Sequence, residues 1–496
     1  MGCGTGGNDT CGYRALVNSE SIVVDTPFGR VRGRLADAND ATGATGAATF
    51  LGIRYATAER FEAPVAVRSW AGELDATRAG ASCPQLPGML ERALGDSTVP
   101  ANEDCLSLNV FTPGCDDEAR PVLVWIHGGG FTTGSGSMPW YHGGELASRG
   151  DVVVVTINYR LGVFGFSGRA NCGLRDQIVA LEWVQACVAS FGGDPAAVTI
   201  VGESAGGSSV VALMATPSAA TLFRGAVAMS PSLGQLRTGD RADEALDQYL
   251  AAAEVRTLDD LRAAPVDLLL AVQADILRPA SAGFTGFSPC NDGELVPMPI
   301  LEAAAQHAAP LMIGTTRDEM RLFHAFDPAV NTLDEAGLEA HVERRFPGRS
   351  AEVIATYRSA RSTTGAAHVY SAMLTDEVFR NPMIALADLR SQTGSPTYAY
   401  WFTWASPAFD GTLGSCHAVD IPFLFHTLDR AGVELFIGSD PDRSKVAEAY
   451  SHAVIALTRT GDPGWAPHES ATRPMMIFDV DSRVEHHADH AVRQLW

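Results

Sequence analysis

Residues 191–207, FGGDPAAVTIVGESAGG, constrain this chain more than any other stretch. Val198, Thr199, Ile200 and Val201 form a short β-branched run that predicts a buried strand, and residues 205–215 (AGGSSVVALMA) are small and apolar enough for a buried helix. Between them, Gly202-Glu203-Ser204-Ala205-Gly206 fits the G-x-S-x-G pattern, in which a strand turns sharply into a helix and presents a serine at the turn. Gly202 and Gly206 permit the unusual dihedrals and the close backbone approach that such a turn needs. The pattern alone is common by chance. The strand before it and the helix after it make Ser204 a candidate nucleophile.

The surrounding chain predicts the layers that would hold such a turn. Residues 21–35 alternate apolar and polar around Pro27 and Gly29, as an antiparallel hairpin does, and residues 49–53 read as a further strand after a loop at 39–48. Residues 54–100 are irregular, as the wall of a site would be. Residues 106–111 and 122–126 are predicted strands, the second running into His127-Gly128-Gly129-Gly130-Phe131. Three glycines after a buried strand leave backbone N–H groups uncovered. Alone they read as a tight turn; with Ser204 downstream they read as an oxyanion loop. Residues 151–158 are a near-continuous apolar run, typical of a parallel strand covered on both faces. Residues 174–189 place Ile178, Leu181, Val184 and Val188 on one helical stripe, and residues 226–229 are another strand. This alternation implies an α/β chain with a large, mostly parallel central sheet and helices on both faces. Residues 240–275 read as helices. Strands at 310–314 and 397–401 flank a mostly helical insert at about 320–395. Residues 1–20 are expected to be a flexible tail, and 21–496 a single domain.

Composition removes several functions. A formal net charge of −22 argues against nucleic acid or an anionic membrane surface as a partner. It fits a neutral or cationic small molecule, or simply an acidic surface. Lys445 is the only lysine among 36 basic residues, so no G-x-x-x-x-G-K-[ST] phosphate loop exists, and Asp442 rules out an S-x-x-K dyad. No apolar run approaches the ~20 residues of a membrane span. The first residues, MGCGTGGNDT, lack the basic and apolar regions of a secretory signal, which leads us to expect a cytoplasmic protein. Nine scattered cysteines without a C-x-x-C pair indicate neither a zinc site nor a disulfide scaffold.

A serine hydroxyl needs a base to take its proton and a carboxylate to orient that base. Chain order, serine then acid then histidine, leaves many choices, but local context narrows them. Asp318 and Glu319 follow the strand at 310–314, at the end where open α/β sheets carry their sites. His417 ends a Gly-rich loop, GTLGSCH. His426 sits in a helical context that suits a structural role, and His486, His487 and His490 form a cluster that could suggest a metal.

Taken together, these stretches resemble the bacterial type-B carboxylesterases, in the cholinesterase/carboxylesterase family of α/β-hydrolases. FGGDPAAVTIVGESAGG resembles the family's serine signature and EDCLSLNV (residues 103–110) its second signature, with Ser107 where an aromatic is usual. HGGGF, NYRLG (158–162), GTTRDE (314–319), CHAVDIPFLF (416–425) and GDPGW (461–465) extend the likeness over nearly the whole chain. The resemblance implies an α/β-hydrolase fold, with Ser204 as nucleophile, His417 as general base and Glu319, rather than Asp318, as the acid. It implies that Gly129, Gly130 and Ala205 donate the oxyanion-hole N–H groups, and that Glu203 and Ser230 support the triad from behind. Pro231 replaces the glycine usual after that serine. Cys83 and Cys105 match a family disulfide; two reduced thiols are the other reading. In GIRYATAERF (52–61), Arg54 stands where relatives have a proline and the Pro-rich turn is shortened, which alters the expected rim of the site. The implied activity is hydrolysis of a small-molecule carboxylic ester through an acyl-enzyme, with no metal or organic cofactor. Preference for an aryl carbamate or amide is an alternative, and a non-catalytic adhesion or scaffold role a remote one.

Overall fold

Alternate residues of single strands feed two different cores, and that division organises the molecule. In Arg120–Ile126, Val122, Val124 and Ile126 pack into one apolar cluster, while Leu123 and Trp125 pack into another on the opposite face. Val153 and Val155 divide from Val154 in the same way, and Ile200 from Val201. Side chains alternate across a strand, so an uninterrupted apolar strand is stable only when both faces are covered. Val153–Ile157 and Gly225–Met229 are buried at every position.

The computed structural model describes residues 21–35, 46–88, 100–278, 286–325 and 327–496. The expected tail at 1–20 and most of the loop at 39–48 lie outside them. Among the described residues, thirteen strands form one sheet. Across it run Ser21–Thr26, Gly29–Leu35, Ala48–Arg54, Ser107–Thr112, Val153–Ile157, Arg120–Ile126, Gly193–Glu203, Gly225–Met229, Leu311–Thr316, Thr397–Phe402, Pro474–Phe478 and Arg483–His486, with Glu73–Asp75 beside the second. From Val153–Ile157 to Pro474–Phe478 every neighbouring pair is parallel. The edges are antiparallel hairpins, the first closing with Thr26 opposite Gly29.

Helices cover both faces. Cys172–Cys187, Ala205–Met214 and Asn381–Thr393 contribute to the first cluster, and Arg443–Thr460 to the second. Ala205–Met214 is buried along its whole length, which suits its lack of a polar stripe. Between Leu311–Thr316 and Thr397–Phe402 lie Glu335–Arg345, Ser350–Arg361 and Ala366–Thr375, which build a third, smaller core. Val492 and Leu495, far along the chain, join it.

Some strands exceed or escape the sequence reading. The strand before Ser204 begins at Gly193, paired to Arg120 ahead of a register shift at Val198. Glu73–Asp75 and Arg483–His486 are short and have no buried residue, so they carry little apolar signal. Among the described residues no helix is long and apolar enough to cross a membrane.

Successive strands Arg120–Ile126 and Val153–Ile157 lie side by side, and the chain then returns past Arg120–Ile126 to place Gly193–Glu203 on its other side. The loops leaving Ile126 and Glu203 therefore meet where the strand order reverses, at the carboxyl ends of the parallel strands. That is where open α/β sheets bind ligands.

Candidate active site

Ser204 occupies φ 57°, ψ −119°, a conformation that a non-glycine residue adopts only at a cost of order 1–3 kcal/mol. Neighbouring glycines make it tolerable. A Cβ on Gly202 would lie 2.4 Å from the carbonyl carbon of Gly206, and one on Gly206 would lie 2.0 Å from the oxygen of Ile126. The Ser204 N–H donates to Met229 O at 2.8 Å, tying the turn to the next strand, while the Ser204 carbonyl accepts from Ser208 N–H at 2.8 Å. Ser204 is 8 % exposed.

The glycine loop lies against this turn. A Cβ on Gly128 would sit 3.1 Å from Ser204 Cβ. Gly129, Gly130 and Phe131 follow with φ of 105°, 59° and 61°. Ala205 heads the helix Ala205–Met214, where an N–H has no acceptor within the helix. The loop is braced from three sides. Tyr159 donates its hydroxyl to His127 O at 2.7 Å and stacks on the His127 ring, and Asn158 Oδ1 accepts from Gly136 N–H at 2.8 Å. Gln85 exchanges hydrogen bonds with the Gly134 backbone in both directions. The NYRLG motif thus serves the HGGG motif. His127 is buried with its pKa pushed down to about 4 by burial, so it is neutral at ordinary pH.

His417 and Glu319 approach from the next loops. His417 Nδ1 lies 2.6 Å from Glu319 Oε2, and Glu319 Oε1 accepts from Thr316 N–H at 2.8 Å. Asp318 faces elsewhere: its carboxylate accepts from Ser415 N–H at 3.0 Å and pairs with Arg317, fixing the loop that carries His417. His417 Nε2 is 3.1 Å from Glu203 Oε1. The rings of Phe323 and Phe379 pack near the imidazole, with centroids 5.2 and 5.0 Å away.

Charge dominates here. Burial alone would lower the His417 pKa, but Glu203 and Glu319 outweigh it and lift it to about 9. Burial raises Glu203 to about 8 against the pull of His417. Asp420 rises to about 7, through burial and the nearby Glu319, while accepting from the Tyr450 hydroxyl at 3.2 Å.

Ser230 is fully buried behind the turn at φ 43°, its N–H donating to Gly314 O at 2.8 Å. Cys83 and Cys105 are buried free thiols, and the neighbouring Cys83 together with burial pushes the Cys105 thiol up. Arg54 pairs with Asp104, and Arg60 pairs with Glu103 and donates to Leu261 O at 2.9 Å, tying the shortened segment to the helical region beyond. His426 Nε2 is 2.7 Å from Ser451 Oγ. Among the described residues, no group of three or more His, Cys, Asp or Glu is arranged to hold a metal ion. The sequence reading missed Asp420, Phe323 and Phe379. Asp420 was within reach, three residues after His417, whereas the phenylalanines come from separate helical segments that no local pattern links to the loop.

A family profile described as the Carboxylesterase family matches residues 20–490. The chain is 34% identical over 501 residues to a para-nitrobenzyl esterase of Bacillus subtilis, covering 95% of this chain and 98% of that protein. It is 36% identical over 432 residues to a phenmedipham hydrolase of Pseudarthrobacter oxydans, covering 84% and 86%. A crystal structure of a Geobacillus stearothermophilus carboxylesterase superposes with a TM-score of 0.82 at 34% identity, covering 96% of this chain and 99% of that one. With likeness along almost its full length and an α/β-hydrolase sheet, the chain belongs to the carboxylesterase family and is a carboxylic ester hydrolase of the bacterial type-B kind.

Proposed function

We propose that the chain hydrolyses small-molecule carboxylic esters through an acyl-enzyme, with Ser204, His417 and Glu319 as the triad. Ser204 Oγ forms a bond to the ester carbonyl carbon as its proton passes to His417 Nε2. The carbonyl electrons move onto oxygen, where N–H groups of Gly129, Gly130 and Ala205 receive them. Collapse breaks the bond to the alcohol, which leaves with the proton from His417. Water then repeats the sequence at the acyl carbon and frees the acid. Each oxyanion donor contributes about 3 kcal/mol to such a step. Glu319 holds the tautomer in which Nε2 is free to accept a proton.

The observation that carries this reading is the 2.6 Å contact between His417 Nδ1 and Glu319 Oε2, buried beside the strained Ser204 turn. Nε2 faces Glu203 at 3.1 Å, and on this reading it turns to accept from Ser204 Oγ when substrate is bound, as catalytic hydrogen bonds often tighten only then. Glu203 and Ser230 support the turn and the imidazole from behind. The test is hydrolysis of p-nitrophenyl acetate, butyrate and octanoate by the wild type and by Ser204→Ala. Loss of at least about 10⁴-fold in kcat is expected, and wild-type rates in the variant would refute the assignment.

A preference for aryl carbamates is a second reading, supported by the likeness to a phenmedipham hydrolase at 36% identity. Comparing kcat/KM on a p-nitrophenyl ester and its matched carbamate decides between them.

A further inference from the structure

Residues Asp376–Arg380 form a single π-helical turn between the helices Ala366–Thr375 and Asn381–Thr393, with the Asn381 N–H donating to Asp376 O. Such turns are rare and are frequently found at functional sites. This one touches the acid–base pair twice. Phe379 places its ring 5.0 Å from the His417 imidazole, and Thr375, just before the turn, accepts from the Met320 N–H, next to Glu319, at 3.1 Å.

The turn is anchored by a buried charge cluster supplied from elsewhere. Asp376 accepts from Tyr357 at 2.9 Å and from Arg361 at 3.1 Å. Glu377 pairs with Arg345 at 2.7 Å. Arg380 lies 3.6 Å from the centre of the Trp401 ring and 3.2 Å from Asp489 Oδ2, the same oxygen that Arg361 contacts at 2.5 Å. Asp489 is thus the carboxylate that the two arginines share, and it begins a segment that is itself locked down. Arg493 pairs with Asp388 at 2.6 Å, Val492 and Leu495 are buried in the third core, and Trp496 donates to the Tyr357 hydroxyl at 2.9 Å.

We propose that Asp489 is a positioning residue for ester hydrolysis. Through Arg361 and Arg380 it holds the turn Asp376–Arg380, and that turn sets Phe379 against the imidazole of His417 and Thr375 against the backbone beside Glu319. This rests on the assignment of His417 as the base. The ring limits how far the imidazole swings between Glu203 and Ser204, so loosening the turn lowers the fraction of molecules ready for proton transfer without altering how an ester is bound.

Asp489→Asn keeps the shape of the side chain and removes its charge. On p-nitrophenyl butyrate we expect kcat to fall about tenfold with KM within about twofold. Phe379→Leu lowers kcat to a similar extent, and the double variant loses less than the product of the two single losses, because both act in part through the same ring. Unchanged kcat in Asp489→Asn with wild-type circular dichroism overturns the proposal, as do losses that multiply in the double variant. If Asp489→Asn does not fold, Trp496→Phe decides. It removes the N–H that reaches Tyr357 together with part of the indole, leaves an aromatic ring to face Phe346, and is expected to lower kcat about twofold at constant KM; a wild-type kcat there overturns the proposal. His417→Ala separates the two levels. Retained activity in that variant brings down the base assignment and this inference together. Its loss alongside a normal Asp489→Asn brings down this inference alone.

Discussion

Ser204 and His417 share one buried site but are held by unlike means. Ser204 is fixed by backbone: a positive φ, a bond from its N–H to Met229 O, and glycines so close to their neighbours that no side chain fits. His417 is fixed by side chains drawn from distant stretches: Glu319 on one nitrogen, Glu203 on the other, and Phe323 and Phe379 packed against the ring. On the proposed assignment, a site built this way has a rigid nucleophile and an adjustable base. Damage to the first should appear as lost stability, and damage to the second as lost rate.

The largest effect expected on the base side comes from Glu319→Gln. The amide keeps the size of the carboxylate but presents Nδ1 with a donor as readily as an acceptor, so the imidazole loses its productive tautomer. We expect kcat on p-nitrophenyl butyrate to fall about 10⁴-fold while the thermal midpoint changes by only a few degrees. A fall of less than about tenfold would mean that Glu319 does not orient the base, and Asp420 would become the candidate.

The nucleophile side predicts the opposite pattern. Gly206→Ala drives a methyl to within 2.0 Å of Ile126 O, which is backbone at the centre of the sheet and cannot yield cheaply. A loss of about 3 kcal/mol of stability is expected, read from urea melts, with low yields of folded protein. Gly234→Ala is the matched control, since a Cβ there meets nothing within 4 Å. Equal melts for the two variants would show that the turn is more pliant than its geometry implies.

The same contrast explains what could be read from sequence. The turn at Ser204 and the loop at His127 are local: a β-branched run, spaced glycines and an apolar helix are adjacent in the chain, and their geometry follows from residue types. His417 was reachable through the Gly-rich loop before it and the family resemblance. Its surroundings were not. Phe379 reaches the imidazole from a π turn whose anchors are Arg361, Arg380 and Asp489, residues that read individually as ordinary surface charges. The edge strands Glu73–Asp75 and Arg483–His486 escaped for a related reason, since exposed backbone pairing leaves no apolar pattern.

The smallest effect, and the sharpest test of an adjustable base, is in the pH dependence of Glu203→Gln. As the proposed base His417 must be neutral, and its pKa is raised to about 9 from 6.5 because Glu203 and Glu319 outweigh burial. The acid limb of kcat/KM in the wild type is therefore expected above the ordinary imidazole value. Glu203 itself stands near 8, raised from 4.5 by burial, so it takes up a proton as the pH falls and stops lifting His417; the two titrate together. Replacing Glu203 by glutamine removes one of the two carboxylates in contact with the imidazole, and the limb should move down by about one unit. Stability gives a second sign. Both groups bind protons more tightly in the folded protein than in the unfolded chain, so their contribution is present below the unfolded values of 4.5 and 6.5 and is lost as the pH rises through about 8 and about 9. The wild type should melt lower as it becomes more active, and Glu203→Gln should flatten that fall while working at lower pH. A limb that stays in place or moves up would show that Glu203 does not set the charge of the base, and that the 3.1 Å contact serves packing alone.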